Sequence, residues 1–161
     1  MQTLSVFKPS CPSFYKVYFD LTVMGSAEIS ESKESKITRE WTDLSTMYVM
    51  LKYRKWQIKE RKSTSLHVFH QKCTEDMNNE LGINKTPTQI RDKVNNTRSS
   101  FHTILKQVKA GNFKWTQDKH ASLTKTVYEF MLTHFDPSKE VPLEFVEQKL
   151  FSVTKAIKKQ L

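Results

Sequence analysis

Apolar side chains recur along most of this chain at intervals of three and four residues, the spacing that lines up one face of an α-helix. From Thr38 onward, Trp41, Leu44, Met47, Tyr48 and Leu51 form such a stripe and predict a first helix with one buried side. Ser65 has a short oxygen-bearing side chain suited to capping a helix N-terminus. After it Leu66, Phe69, Cys73, Met77 and Leu81 share a face until Gly82 stops the helix. A third helix opens at Thr86 with Pro87 in its first turn, where a missing N–H costs nothing, and carries Ile90, Val94, Thr97, Phe101, Leu105 and Val108 up to Gly111. A fourth is predicted from about Thr116, with Leu123, Val127, Phe130, Met131 and Phe135 apolar, ending before Pro137. The last runs from Leu143 to Lys159 and uses Phe145, Leu150, Val153 and Ile157.

Near the N-terminus the period changes. Tyr15, Val17, Phe19, Leu21 and Val23 alternate with polar positions such as Lys16, Asp20 and Thr22, the pattern of a half-buried strand, which needs a pairing or docking partner. The following stretch GSAEISESKESK, Gly25 to Lys36, reads as a polar flexible linker. The organisation expected is a strand-like segment over 1–24, a linker over 25–37, a helical domain over 38–136 and a helical extension over 137–161. With 3 glycines and 5 prolines in 161 residues the chain is poorly supplied for hairpins, so the fold class is all-α. The C-terminal helix can dimerise, pair with another helix or dock on the body, and docking is the expectation.

Charge sharpens this picture through its placement. Of the formal net +9, residues 41–110 hold 13 basic against 6 acidic groups, whereas residues 1–40 are balanced. A local surplus of this kind is the footprint of a surface that meets polyphosphate, because each cation brought to a phosphate releases condensed counterions. Late in the first helix and just after it lie Lys55, Lys59, Arg61 and Lys62, candidates for phosphate contact, although cations there also complement the helix dipole. The apolar run from Met1 is broken by Lys8 and Pro9 before it reaches signal-peptide length, and no apolar run is long enough to span a membrane. Cys11 and Cys73, far apart and outside any CxxC spacing, suit reduced thiols in an intracellular protein. His67, His70 and Cys73 rotate away from one another along a helix, so no metal site is expected. No nucleophile–base pair, paired carboxylates or phosphate-cradling glycine loop has a recognisable spacing. The chain is therefore expected to bind rather than catalyse, with no cofactor, small-molecule substrate or membrane partner. Trp41, Trp56 and Trp115 are expected in the core or over its ends.

The third helix carries the most informative chemistry. Opposite its apolar stripe and on the shoulders stand Thr88, Arg91, Asp92, Asn95, Asn96 and Ser99. Asn pairs bidentately with adenine, Arg with guanine, and Asp accepts from the cytosine amino group; Lys85 and Arg98 are placed to hold phosphates. A helix fits the major groove, with the residues toward its N-terminal end entering deepest.

Trp41 opening the first helix, followed by TPTQIRDKVNNTRSSFHTIL (Thr86 to Leu105), resembles Myb/SANT-like domains, trihelix factors among them, in which a Thr-Pro-x-Gln-x-Arg-x-Lys string introduces the DNA-facing helix. GNFKWTQDKHASLTKTVYEFMLTHFDP (Gly111 to Pro137) is similar to the Gly-x-Phe-x-Trp and terminal helix of the plant and fungal Myb/SANT-like family, some members of which are related to Harbinger transposon accessory proteins. Phe69 stands near the place of the usual Trp of the second helix, and Tyr128 or Phe130 near that of the late Trp. The resemblance implies a three-helix, helix-turn-helix-like bundle, duplex DNA as partner, a nuclear location, and a role as transcription regulator or transposon-derived protein. It also implies an alternative, since SANT relatives include adaptors that bind proteins in chromatin or transposase complexes.

Overall fold

The computed structural model describes residues 40–116, 119–120 and 123–161, and the predicted strand over Phe14–Val23 lies outside them. The described residues fall in one compact unit. Among them are five α-helices: α1 (Asp43–Lys55, continued by a π-helical turn Trp56–Glu60), α2 (Leu66–Leu81), α3 (Pro87–Lys109), α4 (Lys125–His134) and α5 (Leu143–Gln160). The strands β1 (Lys119–His120) and β2 (Leu123–Thr124) form an antiparallel ribbon just before α4. None of these helices is long and apolar enough to cross a membrane.

The first four helices each begin where a side chain takes up an orphan backbone N–H, whereas α5 follows Pro142 without such a cap. Thr42 starts α1 in a capping box with Ser45, whose backbone N–H donates to Thr42 Oγ1 over 3.1 Å while the Thr42 N–H donates to Ser45 Oγ over 2.9 Å. Ser65 caps α2, and Gly82 ends it at φ +62°, a left-handed conformation that costs glycine little. Gly82 and Ile83 then donate their N–H groups to Asn78 and Met77, closing the helix with a Schellman-type pair.

The first helix departs from its one-sided stripe. From Ser45 to Leu51 every residue is buried, including Thr46, Val49 and Met50. The reason is tertiary, because α1 runs through the middle of the bundle. Tyr48 Oη donates to Glu80 over 3.1 Å and Lys52 pairs with Asp76 at 2.8 Å, so α2 lies antiparallel along one side. Lys55 pairs with Glu147 at 2.9 Å near the start of α5, bringing the C-terminal helix onto the body. The Lys55 ammonium, through this hydrogen bond first and its charge second, holds the Glu147 carboxyl below its ordinary range.

The fourth helix starts at Lys125, nine residues later than the stripe of apolar positions suggests. Thr124 fixes the start, since its Oγ1 accepts from the Val127 N–H and donates to Asp43 Oδ1 over 2.9 Å, tying the new N-terminus to the first turn of α1. Before it, Phe113 meets Trp115 edge-on with centroids 5.0 Å apart, Trp115 packs against Tyr128 of α4 at 5.7 Å, and His120 closes on Phe113 at 5.3 Å. In α5 the buried positions are Val146, Val153 and Ile157, whereas Phe145, expected in the core, is 44% exposed. Leu66 and Val108 also sit at exposed ends of their stripes. Cys73 is a buried thiol, pushed up to about 12 chiefly by burial.

Two expectations follow from this packing. Met50 is fully buried on the side of α1 that a one-sided stripe leaves in solvent, so Met50→Ala should cost about 2–5 kcal/mol in urea unfolding. A change within about 0.5 kcal/mol, as at surface sites, would refute the central position of α1. His134 is buried between Phe130 and Phe145, centroids 4.7 and 5.1 Å away, with Nδ1 unpartnered among the described residues. Burial first, then Lys149 and Arg54, lowers its pKa to about 4. The unfolded imidazole takes up its proton near pH 6.5, before the folded one does, so stability falls as pH drops from about 6.5 toward 4. His134→Phe should gain on the parent by on the order of 2 kcal/mol between pH 7 and pH 5; a difference that does not change with pH would contradict this.

Candidate nucleic-acid interface

Helix α3 is the longest element and is set up locally. Thr86 and Gln89 form a reciprocal capping box, with the Thr86 N–H donating to Gln89 Oε1 over 2.9 Å and the Gln89 N–H to Thr86 Oγ1 over 3.2 Å, and Pro87 occupies the first turn. Its buried stripe is Ile90, Val94, Thr97, Phe101, Ile104 and Leu105. Phe101 packs against Tyr128 of α4 at 5.7 Å, fixing the rotation of the helix about its axis.

That rotation leaves one face uncovered. Thr88, Arg91, Asp92, Asn95, Asn96 and Ser99 are all exposed, the arrangement read from the sequence. Arg91 and Asp92 grip each other, with Nε and Nη2 both 3.0 Å from Asp92 Oδ1, each side chain about half exposed. The pair takes up Arg91 Nε and Nη2, two of the donors a bidentate contact would use, and one of the two carboxylate oxygens of Asp92. Asn95, Asn96 and Ser99 lie one to two turns farther along the face. The exposed face continues through His102, Thr103 and Lys106, which the sequence reading passes over although they extend the spacing of Asn95 and Ser99.

The candidate phosphate contacts divide. Lys59, Arg61 and Lys62 are exposed on the π-turn and the turn after it. This knuckle is braced: the Arg61 N–H donates to the Trp56 carbonyl over 2.8 Å, and the buried Trp56 indole donates to the Thr64 carbonyl over 3.1 Å. Trp56 thereby has a structural part, as does Trp41 at the mouth of α1.

Lys85 has to be corrected. It is only 3% exposed, with its ammonium 4.9 Å from the Trp41 ring centroid, and Lys93 covers the same ring at 5.5 Å. Burial lowers the pKa of Lys85, and its place is in the core end rather than beside a phosphate. The signal was ambiguous because a lysine just before a helix looks alike in both settings until Trp41 is placed. Lys55, half-buried and paired with Glu147, is partly withdrawn in the same way. Arg98 is half-buried, with its guanidinium 5.3 Å over Tyr53, on the shoulder of α3 facing α1. Tyr53 in turn stacks with Trp56 and Phe135, so Arg98 caps an aromatic cluster as well as edging the exposed face.

His70 is buried in α2, and burial, then the charges of Arg91 and His67, lowers its pKa. It reports that the start of α3 lies close to α2, as the short connection from Gly82 to Thr86 requires. Among the described residues no cluster of His, Cys, Asp and Glu is disposed to hold a metal ion. No family model, curated protein or solved structure matches this chain.

The cap is the feature of α3 easiest to isolate. Thr86→Ala removes the side-chain acceptor for the Gln89 N–H and should lower unfolding free energy by about 1 kcal/mol, with amide exchange faster in the first turn of α3. Unchanged exchange there would mean the box does not hold the N-terminus.

Proposed function

We propose that this chain is a Myb/SANT-like DNA-binding protein that lays α3 in the major groove of duplex DNA. The observation that carries the reading is the exposed polar face of α3, from Thr88 through Ser99, with no other described helix packed over it. In this reading Asn95 and Asn96 contact adenine edges, and Arg91 reaches a guanine on release from Asp92. Thr88 and Ser99 bound the contact. The braced knuckle of Lys59, Arg61 and Lys62 holds the phosphate backbone, joined by Arg98 from the shoulder and Lys106 from the far end of α3. Lys85 takes no part. The chain has a binding role and no catalytic step, and a nuclear location as transcription regulator or transposon-derived protein goes with it.

The reading separates base contacts from backbone contacts. Asn95→Ala should lower affinity for a preferred duplex by about 1–3 kcal/mol and relax the preference at one position, as should Arg91→Ala. Lys62→Ala should weaken preferred and scrambled duplexes alike and reduce the slope of log affinity against log salt by about one. Parent-like binding by both the Asn95 and the Arg91 variants would remove α3 as the reading helix.

A further inference from the structure

Helix α5 has two faces with different surroundings. Val146, Val153 and Ile157 are buried against the body, whereas Phe151 leaves 70% of its surface in solvent, well above Ile58, Leu66, Val108 or Phe145. Lys155, Lys158 and Lys159 follow Phe151 at four, seven and eight residues, spacings that put all of them on one side of the helix. With Thr154 they line an open groove of about 320 Å³. None of the three lysines has an ion-pair partner among the described residues, and the nearest acid of α5, Glu147, is engaged by Lys55.

We propose that this groove docks an acidic, amphipathic helical segment of a partner protein, its apolar anchor covering Phe151 and its carboxylates meeting Lys155, Lys158 and Lys159. Lysines late in a helix complement the helix dipole, which accounts for their charge but not for a phenyl ring left in water beside them. An aromatic anchor with charged neighbours at its edge suits a protein contact, and the patch spans roughly 12 Å, two helical turns. A second copy of this face would set three lysines against three lysines. Duplex DNA would meet the lysines without using the ring. A membrane surface calls for a broad apolar face, and the broad apolar face of α5 is turned inward. The inference uses α5 alone and does not rest on the DNA reading of α3.

The test uses the full chain and a labelled synthetic peptide of about 18 residues, helical in design, with leucines along one face and glutamates flanking them, beside a counterpart with lysines for the glutamates. Fluorescence anisotropy should show the glutamate peptide binding and the lysine peptide not. Phe151→Ala should weaken binding at least about tenfold, and replacing Lys155, Lys158 and Lys159 together by alanine should abolish it along with its salt dependence. Phe151 is a surface residue, so circular dichroism and duplex affinity should match the parent in Phe151→Ala. Absence of binding to the glutamate peptide, or equal binding by parent and Phe151→Ala, would overturn the proposal. So would anionic lipid vesicles binding in the peptide's stead with dependence on Phe151, or a dimer in sedimentation that Phe151→Ala dissolves.

Discussion

The burial of α1 on all sides is the constraint from which the rest of the structure follows. A helix enclosed from Ser45 to Leu51 must satisfy its polar side chains inside the fold, and it does: Ser45 and Thr46 both donate to the Thr42 carbonyl, at 3.0 and 2.8 Å, and Tyr48 donates to Glu80 of α2 at 3.1 Å. The other helices can then close on it from every direction, α2 and α5 antiparallel along its length and α4 hooked to its first turn through Thr124 and Asp43. Because α1 supplies the centre, α3 needs only a single apolar stripe to be held, and its opposite face is left for other uses.

The positive charge that first suggests a polyanion partner is less available than its total implies. Lys52 meets Asp76, Lys55 meets Glu147, Arg54 lies over Phe135 at 5.6 Å, and Lys85 and Lys93 cover Trp41. In each case a cation is tied to the fold by an acid or by the negative face of a ring. Among the cations that stay in solvent are Lys59, Arg61 and Lys62 at the π-turn knuckle, Arg91, Lys106 and Lys109 on α3, and Lys155, Lys158 and Lys159 on the outer side of α5. A basic surplus counted along the sequence thus becomes separate surfaces, of which the first two are the ones we propose to meet DNA and the third the one we propose to meet a partner.

Features governed by neighbours in sequence were legible before the structure. Ser65, Gly82, Thr86 and Pro87 fixed the ends of α2 and the start of α3, because caps and left-handed glycines act within a turn of backbone. The outward set on α3 was legible too, since a long helix with one apolar stripe leaves little choice of rotation. Tertiary contacts hid the rest. Val49 and Met50 become core only because α1 is enclosed, and Val146 replaces Phe145 because adjacent apolar residues leave the facing of α5 to its docking. Thr116 looked like a helix start, but α4 begins at Lys125, where Asp43 gives Thr124 a partner far away in sequence. Lys85 read as an exposed cation for the same reason: Trp41 is far away in sequence and adjacent in space.

Selection of the full chain against a randomised duplex library, with the enriched sequence then titrated beside scrambled duplex at two salt concentrations, tests the assignment of α3 most directly. A defined motif, bound far more tightly than scrambled duplex with the ratio persisting at the higher salt, is the result expected of a base-reading face. Uniform binding that vanishes as salt rises, or no binding even at low salt, would contradict it, leaving in the first case only a basic surface and in the second no role for DNA at all.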